Sequence, residues 1–269
     1  MRAFVALLTA DDRASSRSRV MWVAAGLGIA WALAIVLLAR GAANPRDVLQ
    51  ADAASLMLLG GLGTALVLGA VAFPGDAHSG YLGMVDAAGA SRGQIAVARV
   101  IARMATLAAV MGAWWAVLQV GSMAIGLGYD AHLTGHTLAM IENNALALAA
   151  AALMSSLIGP VASAVFGLIV FITAQAVVNL KAALDQGAIA QTSSNLVNPP
   201  YIVFPRAVVS SMMEDHQRRG VTSLAAPELS VNGLDVVVPA SHWPNVVWTL
   251  AWIVVLVYLT TVGLRRRLF

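Results

Sequence analysis

Charged and apolar positions segregate along this chain into blocks much longer than one turn of secondary structure. Residues 20–39, 53–75, 104–129, 161–180 and 243–264 contain no Asp, Glu, Lys or Arg, and residues 137–158 contain only Glu142. A helix rises about 1.5 Å per residue, so a block of roughly 20 residues crosses about 30 Å of hydrocarbon. The blocks predict six transmembrane helices. The fourth and fifth need dividing, because residues 143–180 run uncharged for 38 positions. As one helix they would be about 57 Å long, nearly twice the hydrocarbon thickness. Gly159-Pro160, after the small polar pair Ser155-Ser156, is the expected hinge.

The polar segments between blocks are short, with two exceptions. Residues 40–52 read as an outer loop with a helix start at Asn44-Pro45, and residues 129–136 as another outer loop. Residues 76–103 return charge through Asp76, Asp86, Arg92, Arg99 and Arg103. The 61 residues 181–241 form the one sizeable hydrophilic segment. Within it, residues 201–213 are apolar but too short to span, which predicts a re-entrant or interfacial helix. Residues 214–219 are a charged cluster, and residues 234–238 read as a short β-like run. Trp243, Trp248 and Trp252 open the last block as interfacial anchors. In the second block, Gly60, Gly61, Gly63 and Gly69 allow close helix approach in lipid, predicting an interior or dimer-facing span.

Charge fixes the orientation. Ten of the sixteen basic residues lie in three clusters, within residues 2–19, 92–103 and 265–267. The positive-inside rule puts all three in the cytoplasm if there are six spans, and leaves the last outside if there are five. Residues 1–19 are apolar only briefly and carry most of their charge after that stretch, which predicts an interfacial helix rather than a cleaved leader. The expected architecture is an all-α polytopic membrane protein with six transmembrane helices and both termini cytoplasmic. It has an amphipathic N-terminal helix, a cytoplasmic loop at 76–103, a large outer segment at 181–241 and a cytoplasmic tail at 265–269.

Composition agrees. The chain is 59% hydrophobic and 11% charged, with a mean hydropathy of +0.80, against about 25% charged in soluble domains. The net charge of +3 is scattered beside apolar runs and forms no basic stripe, which argues against a nucleic-acid partner. There are no cysteines, so disulfides, thiolate metal sites and cysteine nucleophiles are excluded. Abundant Ala, Gly, Val and Arg with a single lysine, Lys181, fits a GC-rich bacterial genome.

Apart from a GxSxG match at residues 89–93, enzymatic motifs are absent: the chain has no GxxxxGK[ST] or HExxH sequence, so any ATP and Mg chemistry belongs to a separate polypeptide. His132 and His136 are four apart near Asp130 and Glu142, but Thr134 and Gly135 favour a loop with two interfacial histidines over a metal site. Polar residues inside spans are the remaining candidates, because the bilayer makes them costly. Glu142, Asn143 and Asn144 lie in the fourth span, Gln119 in the third, and Gln175 and Asn179 in the fifth. They read either as lining a translocation path or as interhelical hydrogen-bonding groups.

Residues 86–103, DAAGASRGQIAVARVIAR, stand apart. A turn-forming Gly89-Ala90-Ser91 leads into Ile95, Val97, Val100 and Ile101 at helical spacing, with Arg99 and Arg103 on another face. The pattern predicts a short amphipathic helix on the cytoplasmic surface. With the six spans and the outer segment, it resembles the permease subunit of ATP-binding-cassette exporters of the type-2 membrane family. The layout resemblance covers the whole chain, and the sequence resemblance is concentrated at residues 89–103. It implies a coupling helix that docks on a separate ATPase subunit through Asp86, Gly89, Ala90, Ser91, Arg92, Gln94 and Arg99. Arg99 and Arg103 would sit where the third span begins. It also implies a bacterial cytoplasmic-membrane exporter working as a permease dimer, with itself or a paralogue, by alternating access. No cofactor would be bound by this chain. Two other classes fit the same spans: a secondary transporter, and a scaffold or signalling subunit binding an extracytoplasmic partner through residues 181–241.

Overall fold

The computed structural model describes residues 19–73, 91–185, 191–210, 212 and 243–266. All of the interfacial helix expected at residues 1–19 except Arg19, the turn holding Asp86, Gly89 and Ala90, and the cluster and β-like run within 213–241 lie outside them. Seven helices are described: α1 (Arg19–Gly41), α2 (Pro45–Ala70), α3 (Arg92–Ala124), α4 (Ala131–Ser155), α5 (Pro160–Asp185), α6 (Ser194–Val203) and α7 (Trp243–Arg266). All except α6 are long and apolar enough to cross a membrane, and no strand occurs among the described residues. The chain is a multi-pass membrane protein, helical without strands among its described residues.

α4 is the axis of the bundle. It packs against α2, α3, α5 and α7, and 72% of its apolar window is buried. Residues from Leu146 to Ala152 are buried without a break, so the helix has no lipid face over two turns. Small residues let its neighbours come close. A Cβ added at Gly69 of α2 would lie 2.6 Å from the Leu148 carbonyl oxygen, and one at Gly167 of α5 2.8 Å from that of Ala147. With little hydrophobic force between helices in lipid, such close contact is what holds them together. α1 is peripheral, only 22% buried, and rests on α3 and α2. There the Trp114 ring fills the space beside Gly28 and its Nε1 donates to the Ala25 carbonyl at 3.2 Å.

Several boundaries differ from those read in the sequence. α2 starts at Pro45 rather than residue 53, with Pro in the first turn, where a missing N–H costs nothing. Its middle, Leu56–Gly60, is a π-turn. α4 starts at Ala131, so residues 131–136 are helix and not loop. The Asp130 side chain accepts from the Leu133 amide at 3.1 Å and caps that start. α5 begins at Pro160, at the expected hinge, and continues to Asp185.

The largest difference concerns residues 92–103. They are not a separate surface helix but the first three turns of the 33-residue α3. Ile95, Ala96, Ala98, Arg99, Val100 and Ala102 are buried. Ala96 and Val100 share a cluster with Ala72 and Phe73 at the end of α2 and Leu264 at the end of α7. Packing against these two ends locks the turns into line with the span.

Residues 201–213, expected as a helix, are helical only at 201–203 and 212 among the described residues. α6 ends at Val203, and Phe204, the residue before Pro205, is extended (φ −79°, ψ 160°), as the clash with the proline ring demands. Residues 205–210 then run without helix back into the bundle.

Candidate functional site

At its outer-loop end the bundle is tied by a polar knot centred on Asp130. Gln50 of α2 donates to Asp130 Oδ2 at 2.6 Å. Gln119 of α3 brackets the Asp130 backbone, its Nε2 donating to the carbonyl at 2.6 Å and its Oε1 accepting the amide at 3.1 Å. Gln119 is 3% exposed. Three spans are thus joined at one residue, and Gln119 serves that junction.

About two to four turns further along, α4 receives the segment 204–210. Asn143 makes two bonds to Val208: Nδ2 donates to its carbonyl at 2.9 Å, and Oδ1 accepts its amide at 2.8 Å. The side chain imitates the partner strand that the segment lacks. His136 Nδ1 and Ser210 Oγ share a hydrogen bond of 2.8 Å. The Ala207 amide donates to the Ala174 carbonyl at 3.1 Å, and the Thr249 hydroxyl donates to the Arg206 carbonyl. Non-helical backbone within a bundle of spans survives only when protein groups satisfy it, and here three helices do so. Arg206 closes the mouth, with Nε donating to the Tyr201 carbonyl at 2.8 Å and its guanidinium 4.0 Å from the Tyr201 ring and 5.1 Å from that of Trp248.

The two neighbours of Asn143 are less complete. Asn144 is fully buried, and its Nδ2 donates to the Met57 carbonyl in the π-turn at 3.1 Å. A Cβ at Gly61 would collide with that Nδ2. Glu142 Oε1 and Asn144 Oδ1 are both buried without a hydrogen-bond partner among the described residues. Polar oxygens left unsatisfied inside spans are rare and mark a site.

The candidates drawn from the sequence do not converge. Gln175 is half-buried and Asn179 exposed on α5. No hydrogen bond joins either of them, or Gln119, to the Glu142–Asn144 turn among the described residues. No group of three or more His, Asp or Glu able to hold a metal occurs among the described residues, and His132 and His136 lie on the first turns of α4.

At the other end, Ser91 caps α3. Its Oγ accepts the Gln94 amide at 3.3 Å, while Gln94 Oε1 accepts the Ser91 amide at 3.0 Å, a complete capping box. Ser91 and Gln94 are exposed and Arg92 half-exposed. Arg99, expected on a docking surface, is instead 6% exposed. Its Nη1 donates to the Ala72 carbonyl at 3.0 Å and its guanidinium lies 5.4 Å from the Phe73 ring, pinning the end of α2.

Sequence reasoning missed the roles of Asp130, Arg206 and the His136–Ser210 pair. Asp130 had a readable signal, an Asp directly before a helix start. The other two depend on contacts across 74 and 43 residues of chain, which no local pattern carries. No protein-family model matches this chain, and no curated protein matches it.

Proposed function

We propose that this chain is the permease subunit of an ATP-driven ABC exporter of the type-2 membrane family, docking a separate ATPase at the start of α3. One observation carries this reading. α3 has 33 residues, about 50 Å, against roughly 30 Å of hydrocarbon. The stretch from Arg103 to Ala124 alone is about 33 Å, so the turns from Arg92 to Ala102 extend past the apolar layer. Arg92 and Arg99 lie in this extension, and Arg103 stands at its boundary with the span. A rigid helix that crosses the membrane and ends in an exposed, capped tip is a lever: a push on Ser91–Gln94 displaces the span without bending. The Arg99 bond to Ala72 carries the same displacement to α2. The absence of a phosphate loop in the chain requires the energy source to be another subunit.

In this reading the permease pairs with a second copy or a paralogue and binds no nucleotide itself. The six spans lie in the bacterial cytoplasmic membrane with both termini inside. The test is affinity purification of the full chain from native membranes in mild detergent. A polypeptide with a phosphate-loop ATPase sequence should co-purify, and Arg92→Glu should reduce its recovery at least tenfold while leaving the yield and thermal melting of the chain unchanged. If no ATPase is retained by the wild type, the coupling reading fails.

A further inference from the structure

α1 and α2 leave between them a groove of about 540 Å³, within the size range of ligand pockets. Trp114 of α3 forms part of its lining, and Gly28, Gly60 and Gly63 supply walls without side chains. Everything else along it is apolar except Thr64 and Arg19, the only charged lining residue among the described residues. The groove covers one half of the bundle. On α1 it runs from Arg19 to Trp31, twelve residues or about 18 Å, and on α2 from Leu56 to Val67. That length equals one leaflet, about 15 Å of hydrocarbon, plus a headgroup contact. Trp22, 65% exposed, marks the interface level one turn from Arg19. Its length and lining suit an acyl chain, with a cation at one end.

We propose that this groove binds one anionic phospholipid of the leaflet on the Arg19 side. Its phosphate would meet the Arg19 guanidinium, and an acyl chain would run past Gly63 and Gly60 to the Trp31 and Trp114 rings. Charge decides the lipid class: a guanidinium forms paired hydrogen bonds with phosphate oxygens, and an anionic headgroup adds net attraction that a zwitterionic one lacks. Gly63 makes the slot testable. A Cβ there meets no atom within 4 Å, so a side chain at this position starts into the groove without a clash at its first carbon. The proposal is independent of the ATP-driven reading and stands if that reading fails.

The experiment reconstitutes the full chain in nanodiscs of equal phosphatidylglycerol and phosphatidylethanolamine, then releases it for native mass spectrometry. The wild type should retain one lipid with at least a fivefold preference for phosphatidylglycerol, the factor expected of one cationic contact. Arg19→Gln should bring that preference to parity while a lipid is still retained. Gly63→Phe should abolish retention, with thermal melting unchanged. Retention without headgroup preference in the wild type, or undiminished retention in Gly63→Phe, overturns the proposal. A lipid-free two-chain species that Gly63→Phe disperses would also overturn it, by assigning the groove to a second copy.

Discussion

Asn143 and Asn144 are neighbours in sequence with different partners across α4. Asn143 holds the backbone of Val208 by two bonds, and Asn144 reaches the π-turn of α2 by one. A hydrogen bond between membrane elements contributes about 0.6–1.7 kcal/mol. Asn143→Leu should therefore destabilise the chain by about 1–3 kcal/mol, and Asn143→Asp by at least as much, because it sets a carboxylate oxygen against the Val208 carbonyl within the span. Thermal unfolding in detergent and protease sensitivity near residue 208 would both register the difference. The sequence singled out Asn143 because a polar residue in a span is costly, and it offered two readings, a lining and a hydrogen bond. The local pattern had no means of choosing, because Val208 lies 65 residues away. At Gly69 the contact is steric: its Cβ position is 2.6 Å from the Leu148 oxygen. Gly69→Val should cost at least 1–3 kcal/mol of overpacking, measured by the same melt, with Gly63→Ala as the silent control because its Cβ position is open.

At the scale of elements, α3 departs furthest from a reading by blocks. The charge boundary at Arg103 divides hydrocarbon from interface, and helix boundaries need not follow it. The helix instead starts where a capping box satisfies its first amides, at Ser91 and Gln94. That signature was present in the sequence as Ser-x-x-Gln. Arg99 was legible as interfacial, but its burial against Ala72 and Phe73 depends on where α2 ends. Ser91→Ala should cost about 1 kcal/mol, since it removes the acceptor for the Gln94 amide. Hydrogen exchange should then quicken in the first turn of α3, with no change beyond Val100. The spans themselves were visible because twenty uncharged residues admit few alternatives to a membrane helix. The extended segment 204–210 was not, because its backbone is satisfied by side chains distant in sequence.

For the whole molecule, the two ends of the bundle are built differently. Around Asp130 and the 204–210 segment, side chains from three spans bind backbone groups and one from a fourth, Gln50, binds the Asp130 carboxylate, holding the helices in register. At the other end the first turns of α3 are fastened to the end of α2 by Arg99 and packed on the end of α7. The proposed coupling role has α3 transmit force along its length, and it depends on an ATPase engaging the helix tip. The most direct measurement places a photo-crosslinking amino acid at position 92 and irradiates native membranes with and without ATP. The account predicts a single protein adduct, a phosphate-loop ATPase, whose yield changes with nucleotide. Adducts only to lipid, or to a protein lacking that motif, would contradict it.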